Sequence, residues 1–159
     1  MPREREATSR RTRSAHSKPP EKLSLIVSSG DFERVHYALA MASAAVAIDR
    51  PATLFFTMGA IRALLKPAAD GAPGWADMAA EDGRSGAEID AAYGERGVGQ
   101  FEELLTACIQ CGARFMVCEM GLRAIGLGAA DLRQDIAFSE GGLVSFLNDA
   151  SRHGAVIYI

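Results

Sequence analysis

The sequence predicts an α/β domain built on a parallel sheet with helices on both of its faces. Three observations predict it. Short runs rich in β-branched, Leu and aromatic residues occur at 22–28, 52–57 and 114–118. Apolar residues recur at helical spacing between them. The order strand, helix, strand repeats from residue 22 to the end, as a parallel sheet with crossover helices requires. With 159 residues, 48% of them hydrophobic, there is enough chain for one core and too little for two.

In order, "KLSLIVS" is the first strand, and "SGD" supplies a glycine turn and an Asp placed to cap a helix. Phe32, Val35, Leu39 and Ala42 then mark a helix that "DRP" stops before the second strand, "ATLFFT". "MGAIRALLK" reads as a short helix. Residues 68–97 hold six glycines and the only tryptophan with weak periodicity, and read as a long connection. The stripe Phe101, Leu104, Leu105, Cys108 marks another helix, closed by Gly112, and "RFMVC" is the third strand. "DIAFS" is read as a fourth strand, residues 140–154 as a helix ended by Gly154, and "AVIYI" as the fifth strand.

Residues 1–20 carry six basic side chains against two acidic ones and almost nothing apolar, so they are expected to be a disordered basic tail ahead of a domain spanning 21–159. The chain's net charge is −3, and removing the tail's +4 leaves −7 on residues 21–159, which argues against a nucleic-acid-binding surface on the domain. "YALAMASAAVAI" is too short to span a bilayer, and no secretory leader is visible, so a cytoplasmic protein without membrane attachment is expected. Three cysteines in such a chain do not form a disulfide framework.

In parallel α/β sheets ligands bind outside the carboxyl ends of the strands. "SSGD", "TMGA" and "CEMG" converge there, which makes Ser29, Gly30, Thr57, Met58, Glu119 and Met120 candidate ligand-binding residues around a candidate catalytic Cys118. A thiol opening a helix is activated by unpaired N–H groups, yet a strand-end cysteine is as readily a small core residue, and both readings stay open on position alone. Cys108 and Cys111 form a C-x-x-C at the wrong end of a helix for redox work and lack two further ligands for zinc, so Cys108 reads as core and Cys111 as a surface thiol or a resolving partner for Cys118. His36 reads as a packed or helix-edge residue and His153 as a helix-end cation.

The stretches "LIVSSGDFERVHYALAMASAAVAIDRPATLFFTMGAIRALLK", "ELLTACIQCGARFMVCEMGLRAIGL" and "GGLVSFLNDASRHGAVIYI" together resemble the DsrE/DsrF-like family, closest to its DsrE2-type branch, over most of residues 22–159. The resemblance implies a three-layer α/β/α domain with a parallel five-stranded sheet, flavodoxin-like in its layering, assembled into oligomers. It also implies a sulfur carrier or sulfurtransferase-like activity. Cys118 would hold sulfur as a persulfide and relay it between donor and acceptor proteins, with no metal or organic cofactor. The alternatives are a non-catalytic oligomeric module holding a small ligand in the same crevice, and a thiol redox protein pairing Cys118 with Cys111. Two further expectations follow from composition: residues 70–97 form a mobile lid, and the Ala-rich face at 38–47 mediates self-association.

Overall fold

The computed structural model describes residues 18–159, and the reading of residues 1–17 as a tail lies outside the described residues. Five strands, β1 (Leu23–Val27), β2 (Ala52–Phe56), β3 (Arg114–Cys118), β4 (Phe138–Gly141) and β5 (Ala155–Tyr158), form one sheet in the order β4-β3-β2-β1-β5. Every pairing is parallel. This is the predicted three-layer α/β domain.

Alternation along the strands sorts side chains onto two faces. Leu25, Val27, Leu54, Phe56, Phe115 and Val117 point to one face and into the main core. There they meet helix α1 (Phe32–Ala47), the 3₁₀ turn Met58–Leu64, helix α3 (Phe101–Gln110) and helix α4 (Glu119–Ala124). Phe55, Met116 and Cys118 point the other way and form a small second cluster with Phe146. Among the described residues that face is covered by α5 (Leu143–Asp149) alone, seven residues long.

The stripe of α1 is as the spacing requires, with Phe32, Val35, Leu39 and Ala42 all buried. Ala38 and Ala45 are buried too, and α1 packs on α3, with the Cys108 thiol 3.5 Å from the Leu39 carbonyl. The buried small residues of 38–47 thus bring two helices of the same domain together, while Ala44 and Ala47 stay exposed. The helix stops where Asp49 takes φ 57°, a left-handed conformation that a short polar side chain tolerates.

Residues 68–97 are not the structureless connection that their weak periodicity suggests. They contain a helix, α2 (Gly86–Glu95), opened by a capping box in which Ser85 accepts from the Glu88 amide and Glu88 accepts from the Ser85 amide. Trp75 is buried and stacks on Phe101 with centroids 5.0 Å apart. Its indole N–H donates to Glu102 over 2.8 Å, and Arg133 grips the same carboxylate with both Nη atoms. The Phe32 amide donates to Ala79 and the Gly86 amide to Met78. The connection is a wall of the core, because the apolar surface of Trp75, Met78 and Ile89 outweighs the freedom of its glycines.

Two boundaries also shift. The fourth strand is 138–141 rather than 135–139, because Ile136 is drawn into the core while Phe138 to Gly141 pair with Phe115 to Cys118. The last helix ends at Asp149 rather than running to Gly154. Lys22 Nζ donates to both the carboxylate and the backbone carbonyl of Asp149, each over 2.7 Å, which turns the chain toward β5. His153 therefore lies in the turn before β5, not at a helix end.

Candidate functional site

The connections after β1, β2 and β3 run over the main-core face, while β4 leads into α5 on the opposite face. In parallel α/β sheets the ligand crevice lies where the strand order reverses, which here is between β1 and β5. The change of face falls elsewhere, between β3 and β4. Their last paired residues are Cys118 and Gly141. Cys118 thus stands where the chain leaves two neighbouring strands toward opposite faces, three strands from β5.

Its sulfur caps α4, accepting the amide of Gly121 at 3.4 Å. The thiol is not held out to solvent, for Cys118 is only 1% exposed and shares its cluster with Phe55, Met116 and Phe146. The Phe146 ring lies 5.0 Å from that of Phe55. Glycine at 141 lets α5 fold back here, since a Cβ at that position would meet Ser145 at 2.8 Å.

The three predicted loops do converge. A Cβ on Gly59 would stand 2.9 Å from Gly30, and one on Gly121 would stand 2.6 Å from Thr57 Oγ1 and 2.8 Å from the Met58 amide. Both contacts require glycine. Thr57 is buried, whereas Met58, Glu119 and Met120 are exposed at the rim. Met58 has φ 48°, an uncommon conformation for a side chain of its size and one that clusters at functional sites. Ser29 bonds locally, its hydroxyl donating to Asp31 and accepting the Asp31 amide. With β2 between β1 and β3, Ser29 and Gly30 stand about two strand spacings, roughly 10 Å, from Cys118.

Gly30 lines a different hollow of about 450 Å³ at the carboxyl end of β1, under residues 68–79. Arg62 and Lys66 also line it, with Asp77 the one acidic side chain. Sequence reasoning missed both cations, although Arg62 and Lys66 are four apart and so fall on one side of a helical turn. It also missed Phe146, whose spacing from Leu143 and Leu147 marks an apolar helix face without saying what lies beneath.

The other cysteines are distant from this chemistry. Burial, helped by the neighbouring Cys111, pushes the Cys108 thiol up to about 12, so it stays protonated in the core. Cys111 is exposed and precedes β3, whereas Cys118 ends it. The four steps from Arg114 to Cys118 alone span about 13 Å, while a disulfide bridges Cα atoms no more than about 7 Å apart. Pairing Cys111 with Cys118 would require β3 to leave the sheet. His36 is packed as expected, its Nε2 N–H donating to the Gly99 carbonyl at 2.8 Å and its ring 4.7 Å from that of Tyr93. Among the described residues no group of three or more His, Cys, Asp or Glu could hold a metal ion, and no helix is long and apolar enough to cross a membrane.

No family model matches the chain, and no curated protein matches it. Among solved structures it is similar to MTH1491 from Methanobacterium thermoautotrophicum, a protein of unknown function, with a TM-score of 0.52 and 14% identity, the match covering 87% of this chain and 98% of that one. The likeness is one of fold.

Proposed function

We propose that the chain is a cytoplasmic sulfur carrier of the DsrE type, with Cys118 as the carrying thiol. The observation that carries the proposal is the place of the Cys118 sulfur at the carboxyl end of β3, where it opens α4 and is hydrogen-bonded by the Gly121 amide. The Gly121 N–H gives this sulfur a hydrogen-bond donor from the first turn of α4. Two of the stretches that resemble the family, those around Thr57 and Gly121, meet beside this residue and support the same reading.

In the proposed reaction the Cys118 thiolate attacks the outer sulfur of a donor protein's persulfide. The donor's S–S bond breaks, the donor leaves as a thiolate, and Cys118 holds the transferred sulfur. An acceptor thiolate then attacks that outer sulfur and releases Cys118. Each step is a thiol exchange without net oxidation. Because α5 covers the thiol, loading requires α5 to swing away. Phe146 is its one fully buried side chain, so little apolar surface opposes the movement.

A second reading, a module that binds a small anionic ligand without chemistry, is favoured by the Arg62 and Lys66 hollow. Intact-mass analysis after incubation with a persulfide donor separates the two. The carrier gains the mass of one sulfur atom, the gain is reversed by a reductant, and Cys118→Ala abolishes it. An unchanged mass, or a gain retained by Cys118→Ala, overturns the carrier reading.

A further inference from the structure

We infer that the free edge of β5 is a self-association surface, on which a second copy of the chain pairs its own β5 antiparallel across a two-fold axis. This inference is independent of the chemistry at Cys118.

No strand among the described residues pairs with the outer side of β5. Among the described residues, the N–H and C=O groups of Val156 and Tyr158, which point away from β1, therefore have no strand partner. Chains that remain monomeric guard such an edge with a charge, a proline or a bulge. "AVIYI" contains none of these, whereas the opposite edge, "FSEG", has an acid and a glycine in four positions.

Both faces of the edge are apolar. Val156 and Tyr158 lie on the α5 face, in register with Ser24 and Ile26, and are 51% and 72% exposed. On the other face Ile157 and Ile159 join Tyr37, Met41, Tyr93 and Val98 around an open groove of about 610 Å³. The groove exists because no helix among the described residues covers β5 on this side. A solvated edge strand alternates apolar inward with polar outward, and this one does not.

The charges at the two ends of β5 select a copy as the occupant and fix its direction. Glu33 and Glu81 line the groove beside Ile159 at the carboxyl end. Arg34, also in the groove, has Asp31 as its ion partner. Arg152 and His153 are exposed at the amino end. An antiparallel two-fold pair brings the basic end of each strand to the acidic end of the other, twice over, whereas a parallel pair would set like charges together.

The test is sedimentation of the full chain at micromolar concentration, with variants at exposed positions. Wild type should be a dimer, and the double variant Val156→Lys, Tyr158→Glu should be a monomer. If that variant fails to fold, Tyr37→Glu on the groove wall replaces it and should weaken dimerisation at least tenfold. Arg152→Glu should also weaken the dimer, and adding Glu81→Arg should restore it. A monomeric wild type overturns the inference, including one whose β5 amides are nonetheless protected from exchange by another segment or protein. A dimer unaffected by all these changes overturns it as well.

Discussion

The Gly121 amide points at the Cys118 sulfur from 3.4 Å, while the opposite side of Gly121 faces Thr57 so closely that a methyl group would stand 2.6 Å from its hydroxyl. One glycine thus sets both the cap on the thiol and the spacing between α4 and the turn after β2. Gly121→Ala should push these segments apart and destabilise the fold by about 1–3 kcal/mol as an overpacking change. Urea denaturation measures the loss, and a variant as stable as wild type would show that the two segments are free to separate.

Access to Cys118 should be governed by α5. Phe146→Ala removes its one fully buried side chain and should cost about 3 kcal/mol if α5 stays in place. Every 1.4 kcal/mol by which opening becomes easier raises the open population about tenfold. Alkylation of native Cys118, followed by mass, should therefore speed up at least tenfold in Phe146→Ala, with Cys108 unchanged. Equal rates in both proteins would mean that α5 does not gate the thiol.

Residues 76–97 should resist amide exchange despite their glycines. The Gly86 and Ala87 amides donate to Met78 and Ala76, and Trp75 is stacked in the core. Both amides should exchange as slowly as those of α3, and Trp75→Ala should cost about 3–5 kcal/mol. Rapid exchange at Gly86 and Ala87 in the wild type would restore the lid reading.

Acid should loosen α5 through Asp149. Burial pushes this carboxyl up, but Lys22 and Thr53, both hydrogen-bonded to it, and the charges of Lys22 and Arg114 outweigh burial and hold it below the ordinary range. A group whose value is lowered in the folded state stabilises fully above its unfolded value, about 3.9 for Asp, and that stabilisation is lost as the pH falls through the lowered value. Asp149→Asn should remove this acid dependence and cost about 2 kcal/mol at neutral pH, within the usual range for hydrogen bonds to a charged group. Denaturation midpoints across a pH series test it, and an unchanged acid slope in the variant would assign the dependence to other carboxylates such as Glu102.

Much of the domain was legible in the chain. Five strands, the α1 stripe and the burial of Cys108 follow from periodicity, since a side chain's face is set by local backbone geometry. Helix α2 carried a readable signal, the Ser85 to Glu88 capping box, but Ile89 is its only large buried apolar side chain, too little to mark a stripe among alanines and glycines. Strand β4 was displaced because "FSEG" has little strand character of its own and takes its place from pairing with β3.

For the site, the sequence by itself determined that three loops meet at the carboxyl ends of the strands and that Cys118 ends one of them, because strand ends and turn residues are local features. Alternation even assigns Cys118 to the face opposite Val117. Only the tertiary structure decided the strand order, the change of face between β3 and β4, the separation of Ser29 and Gly30 from the thiol, and the closing of Phe146 over it. These depend on which distant segments share a face, and that choice is made by packing the whole chain at once, with no signal in any one window of residues.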